Sequence, residues 1–158
     1  MKRSIKTGLT FGVTSGIITT LGLIVGLHSG THTKLAVIGG IITIAIADSL
    51  SDALGIHVSK ESENKYTEKE LWESMLFTFT FKFIVAMSFM VPTLLLEIST
   101  AISISIVWGM ILLSVLSFYI AKSKKEKPMK VIGEHVIVAL VVVFLAHFIG
   151  DMISIIFV

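Results

Sequence analysis

The chain contains no cysteine and no glutamine, one asparagine (Asn64), one arginine (Arg3) and two prolines in 158 residues. The missing cysteine excludes a disulfide framework, a thiolate metal site and a redox dithiol. The scarcity of amide side chains fits a chain embedded in a bilayer, and is also consistent with a heat-adapted source. Charge is sparse as well: charged residues make up 15%, and the formal net charge is only +2. The basic residues flank apolar runs instead of lining one face, so no nucleic-acid partner is expected.

What is abundant is apolar surface. Hydrophobic residues account for 54% of the chain and the mean hydropathy is +0.92, outside the range of an ordinary soluble domain. The expected class is an all-α integral membrane protein in a lipid bilayer. A hydrocarbon core about 30 Å thick takes roughly 20 helical residues to cross. Five stretches are long enough, at about 8–28, 35–58, 71–96, 98–121 and 131–157, forming a single membrane domain over 1–158. The opening "MKRSIK" followed by an apolar run mimics a signal peptide, but the run from Gly8 to Leu27 lacks a convincing cleavage site, and a retained helix is expected. Residues 59–70 and 122–130 are the polar connectors. Thr67 and Glu70 form a capping-box pattern for the third helix, and Pro128 starts the fifth. Between the third and fourth stretches "LEISTA" leaves room only for a tight turn, which predicts an antiparallel hairpin.

Lysine and arginine in the short loops set the expected orientation. Lys2, Arg3 and Lys6, then Lys60, Lys65 and Lys69, then Lys122, Lys124, Lys125, Lys127 and Lys130 all fall on one side, against Lys34 alone on the other. This predicts a cytosolic N-terminus and a C-terminus on the opposite side. Glycines recur every fourth residue as Gly8, Gly12, Gly16 and again as Gly22, Gly26, Gly30. Such rows let helix backbones approach closely in lipid, either within the chain or against a second copy of it.

Against this apolar background the ionisable residues stand out. Asp48 and Asp52 lie four apart, hence on one helix face, with Asp48 near the middle of the second span. Facing lipid they would cost several kcal/mol, so protein or water must surround them. The pair can hold a divalent cation through oxygen ligands, share a proton, or be neutralised by Lys82, which sits at about the depth of Asp48 in "FTFTFKFIVAM". A fixed Lys82–Asp48 ion pair would still leave Asp52 without a partner. Ser15 on the first helix lies at the depth of Asp52, flanked by Thr14 and Thr19. Glu134, with His135, opens the fifth helix near the interface and is a candidate charge partner or proton relay alongside Lys82. His57 and Glu61 are spaced for capture of a metal at the cytosolic end, although a solvated helix end explains them equally well. His28 and His32 are read as surface residues of the outer loop, and His147 with Asp151 as an interfacial cap or an exit relay.

Taken in order along the chain, these segments resemble one known family. "FGVTSGIITTLGLIVGL", then a second helix ending "SDALGIHVSKESE", then "ELWESMLFTFTFKFIVAMSFMVPTLL" with its early tryptophan and Pro92, and finally "AHFIGDMI" are similar to the vacuolar iron transporter family. The resemblance implies a homodimer of five-helix protomers joined through the first and second helices. It implies that ferrous iron or a similar divalent metal leaves the cytosol in exchange for protons, along the interface between the two copies. No permanently bound cofactor is implied, since the metal is cargo. The family's first-helix aspartate ligand falls on Ser15 and its second-helix methionine on Asp52, so both differ here. A usual second-helix glutamate falls on Ile56, and residues 59–70 leave no room for the glutamate-rich cytosolic domain that many members carry. A carboxylate has in effect moved from the first helix to the second, and the soft thioether is lost, which lowers selectivity for iron over manganese. The expected metal positions are Asp52 and Asp48, with Ser15 as a weak hydroxyl ligand.

Two other classes are compatible with the sequence. Lys82 could cancel the metal site, leaving a non-transporting membrane assembly or accessory protein that keeps the fold. Paired intramembrane aspartates also occur in magnesium-dependent lipid phosphotransferases, but those need guanidinium or clustered ammonium groups to grip phosphate. Arg3 is the only arginine here and lies at the N-terminus, so a non-enzyme is the expectation.

Overall fold

The computed structural model describes residues 2–157. They form five long helices: α1 (Arg3–Thr31), α2 (Lys34–Ser62), α3 (Glu68–Leu95), α4 (Ile98–Lys124) and α5 (Pro128–Phe157). Each is long and apolar enough to cross a membrane, which makes the chain a multi-pass integral membrane protein. No strand occurs among the described residues.

The helices overrun their apolar stretches because polar residues at the ends stay helical. α2 continues to Ser62, so the connector to α3 shrinks to 63–67. The capping box is formed at the start of α3: the Glu70 N–H donates to Thr67 Oγ1 at 3.3 Å, and the Thr67 N–H donates to Glu70 Oε2 at 3.0 Å. These bonds satisfy two donors that a helix start leaves orphaned. α1 stops where His32 turns left-handed at φ 54°, and α4 stops at Lys125, φ 59°. α3 is interrupted at Phe89, between Glu68–Ser88 and Met90–Leu95. Pro92 explains the break, since it has no N–H for the Ser88 carbonyl and its ring crowds that group. Past the break, the Lys34 ammonium donates to the carbonyls of Leu94 (3.2 Å) and Leu96 (2.9 Å), covering the end of α3.

The central element is α1, which packs against all four other helices and buries Ile17, Leu21 and Ile24 completely. Its glycines determine how. A Cβ at Gly8 would collide with Phe77, and one at Gly12 would lie 2.7 Å from the Thr78 carbonyl oxygen, both on α3. Gly22 meets Val142 at 3.1 Å, Gly26 the Ala146 carbonyl oxygen at 3.5 Å and Gly30 that of Gly150 at 3.4 Å, all on α5. The step of six residues from Gly16 to Gly22 is about 600° of helical rotation, which turns the second row to a different side from the first. Both rows are therefore occupied within one chain, and close packing against a second copy is not what they serve. Gly39, Gly55 and Gly133 are the glycines with nothing within 4 Å of an added Cβ.

The expected α3–α4 hairpin holds only at its tip. Met90–Leu95 packs on α4, and the Trp108 indole N–H donates to Ser88 Oγ at 3.1 Å. Away from the turn the two helices part, because α1 seats on α3 through its first glycine row while Gly109 of α4 receives Leu21 of α1.

Candidate functional site

Lys82 is among the largest fully buried side chains of the described residues, an unusual place for a lysine unless its charge is paired. The close approach of α1 to α3 explains its position. A Cβ at Gly12 would lie 3.3 Å from the Lys82 backbone nitrogen and one at Gly16 would lie 3.2 Å from its carbonyl oxygen, so neighbouring Ser15 is brought against the lysine. From the other side, α2 packs along α3 and presents its two aspartates.

The resulting cluster joins three helices. Lys82 Nζ lies 2.5 Å from Asp48 Oδ2 and 2.5 Å from Asp52 Oδ2. It also donates to Ser15 Oγ at 3.1 Å, and the Ser15 hydroxyl in turn donates to Asp52 Oδ2 at 2.5 Å. The contact with Asp52 is a hydrogen bond, whereas Asp48 Oδ2 is buried without an aligned hydrogen bond and is held by charge alone. This corrects the expectation that a Lys82–Asp48 pair would leave Asp52 unpartnered: Asp52 is the better satisfied of the two. The long lysine stem places one ammonium between two carboxylates spaced one turn apart on a single face. Ser15, expected as a weak ligand, is found as a hydrogen-bond donor to Asp52.

The local backbone around Asp48 is irregular. Residues Ile44–Asp48 form a π turn in which the Ser49 N–H reaches back to the Ile44 carbonyl, and a second π turn spans Gly8–Gly12 of α1. Such turns inside α-helices are frequent at functional positions. Two carboxylates and one ammonium leave the cluster with one net negative charge. It is not sealed: the Asp48 side chain is 36% exposed and that of Asp52 23%, whereas Lys82 is inaccessible. The carboxylates thus reach the flank of the single chain at mid-helix, beside exposed Ile42, Ile46, Leu50 and Leu54. Contact with hydrocarbon there is unfavourable, so water or another protein surface is required.

The remaining candidates lie elsewhere. Glu134 is exposed and faces Lys130 at 3.9 Å, one turn away on α5, while His135 shares a hydrogen bond with Ser117 at 2.7 Å. His57 packs its ring against Trp72, centroids 4.9 Å apart, with Nδ1 buried and unpartnered, and Glu61 is exposed. At the other end, the His28 and His32 rings lie 5.7 Å apart, and His147 bonds Ser29 through Nδ1 and faces Asp151 at 3.4 Å. Among the described residues no three His, Asp or Glu side chains are grouped to hold a metal. A cation at Asp48 and Asp52 would complete its shell with hydroxyl, backbone and water oxygens. Sequence reasoning missed Lys60, read as a topological loop charge. It is buried on α2, donates to Thr7 (2.9 Å) and Ser74 (2.8 Å), and shares the Tyr66 ring with Arg3.

Residues 8–75 match the model of the VIT family, a stretch taking in α1 from its first glycine, all of α2 and the start of α3. Over that stretch, less than half of the chain, the protein is similar to the VIT family, a likeness that suggests membrane transport of metal ions in general. No curated protein matches the chain.

Proposed function

Starting from that family, whose pattern covers Ser15, Asp48 and Asp52, we propose that this chain moves a divalent metal cation, iron or manganese, across a membrane, with the Asp48–Asp52 pair as its resting place. The observation that carries the reading is the ammonium of Lys82 lodged between the two carboxylates. It stands where a cation would stand. An arriving divalent ion and a charged Lys82 cannot both occupy the pair, since the sum would be one net positive charge with two cations in contact. Either the lysine withdraws or it gives up its proton, which brings the cluster to neutrality and links metal entry to proton release. This linkage suits exchange of metal for protons, and with the lysine-rich end placed in the cytosol by the loop-charge rule the proposed direction is export. The open flank of α2, with its exposed carboxylates and the unfilled Gly39 and Gly55, is where a second copy would enclose the path in a homodimer.

Purified protein in proteoliposomes tests this directly. Manganous or ferrous ion should accumulate, and Asp52→Asn should reduce the rate at least about tenfold, the equivalent of 1.4 kcal/mol. Uptake that survives the substitution unchanged overturns the assignment. The complete burial of Lys82 favours one other reading, in which the ammonium permanently replaces the metal and the chain is a non-transporting assembly. Absence of uptake by folded wild-type protein, with no metal-induced rise in Tm, selects that reading.

A further inference from the structure

At the lysine-rich end of the bundle a groove of about 270 Å³ opens between α1, α4 and α5, lined by Lys6, Thr10, Ile120, Ser123, Lys124 and His135. We propose that it binds the phosphate of an anionic membrane lipid. Two lysines, a histidine and two hydroxyls line it, and no carboxylate does. Lys6 is steered by donation to Ser123 Oγ at 3.0 Å. His135 is fixed through Nδ1 by Ser117, which is itself buried, leaving Nε2 as its remaining polar atom. Among the described residues no carboxylate comes within ion-pair distance of Lys6 or Lys124, since the ion pairs present involve Lys2, Lys82, Lys130 and His147.

A second groove at the same end provides an internal comparison. It carries Lys2, Arg3 and Lys69, but Glu70 and Glu73 line it too. Lys2 pairs with Glu73 at 3.4 Å and Ser4 donates to the same carboxylate at 2.8 Å. That groove neutralises itself, whereas the first does not. Charge for orientation alone needs no cradle: Lys122, Lys125, Lys127 and Lys130 supply it without lining the groove. The Thr10 hydroxyl is spent on the Lys6 carbonyl at 2.8 Å, but two ammonium groups beside the Ser123 hydroxyl suit a phosphate, and basic pockets between helices at a bilayer surface take anionic headgroups. A lipid is favoured over a free phosphate because exposed apolar Val138 and Val141 follow His135 along α5, offering a surface for acyl chains.

The test titrates the full chain in detergent with phosphatidylglycerol, phosphatidylcholine or inorganic phosphate and reads Tm. Phosphatidylglycerol should raise Tm by several degrees. The rise should fall by at least half in the Lys6→Gln, Lys124→Gln double variant and persist in Lys2→Gln, Lys69→Gln. An equal rise with phosphatidylcholine, an equal loss in both double variants, or a full rise from inorganic phosphate alone would each overturn the proposal. Should the first double variant not fold, native mass spectrometry of the wild type decides: retention of phosphatidylglycerol in preference to phosphatidylcholine upholds it, and no preference rejects it. Metal uptake enters neither readout, so this proposal and the transport reading fail separately.

Discussion

Lys82 Nζ and Asp52 Oδ2 meet at 2.5 Å across the α2–α3 contact, and the same ammonium lies 2.5 Å from Asp48. One positive charge therefore holds two negative ones at mid-helix. Removing it leaves adjacent carboxylates in a poorly solvated place, which costs about 3–5 kcal/mol when a buried pair loses one member. Lys82→Met should lower Tm sharply, and manganous ion should recover more of that loss than it adds to the wild type, because a ligand of the folded state stabilises it. If manganese shifts variant and wild type equally, the lysine is not standing in for a metal.

The two aspartates are not equivalent. Asp52 accepts hydrogen bonds from both Ser15 and Lys82, whereas Asp48 has only the charge contact. Asp52→Asn should therefore destabilise by about 1–3 kcal/mol, the range for leaving buried partners unsatisfied, and Asp48→Asn by clearly less. Thermal unfolding of the two variants side by side measures the difference, and equal losses would contradict the asymmetry.

The seat of α1 on α3 has no room for a methyl group at Gly12, where a Cβ would lie 2.7 Å from the Thr78 carbonyl oxygen. Gly12→Ala should cost about 1–3 kcal/mol through overpacking. Gly133→Ala meets open space and should be neutral or gain up to about 1 kcal/mol of helix propensity. Midpoints of denaturation for the pair check both signs at once.

At the start of α3 the capping box predicts a local effect. Thr67→Ala removes the acceptor for the Glu70 N–H and should cost about 0.5–2 kcal/mol, with faster amide exchange confined to the first turn of α3. Unchanged exchange there would mean that tertiary packing alone holds that end.

Much of this architecture is legible in the sequence because bilayer physics is one-dimensional. Span length, loop charge and depth can be counted along the chain, and that count alone puts Asp48, Asp52 and Lys82 at similar depth. Lateral position is harder. Nothing in the spacing says that α1 separates α3 from α4, since the "LEISTA" turn reads as a hairpin either way. The glycine rows announce close packing but not their partners, which depend on rotation about the helix axis and on which neighbour is at hand. Lys60 escapes notice because a lysine at a helix end is normally wet, and its burial follows from Thr7 and Ser74 on two other helices. The π turn ending at Asp48 leaves no compositional mark in "IAIAD".

The six-residue step between Gly16 and Gly22 carries a consequence for how this helix can vary in length. A single insertion or deletion between those positions would swing everything beyond it by about 100°, taking the second row off Val142, Ala146 and Gly150 while the first stayed seated. Between its two rows α1 is therefore fixed in count as well as in its buried side chains Ile17 and Leu21, because a change of length unseats the second row even where every side chain is kept.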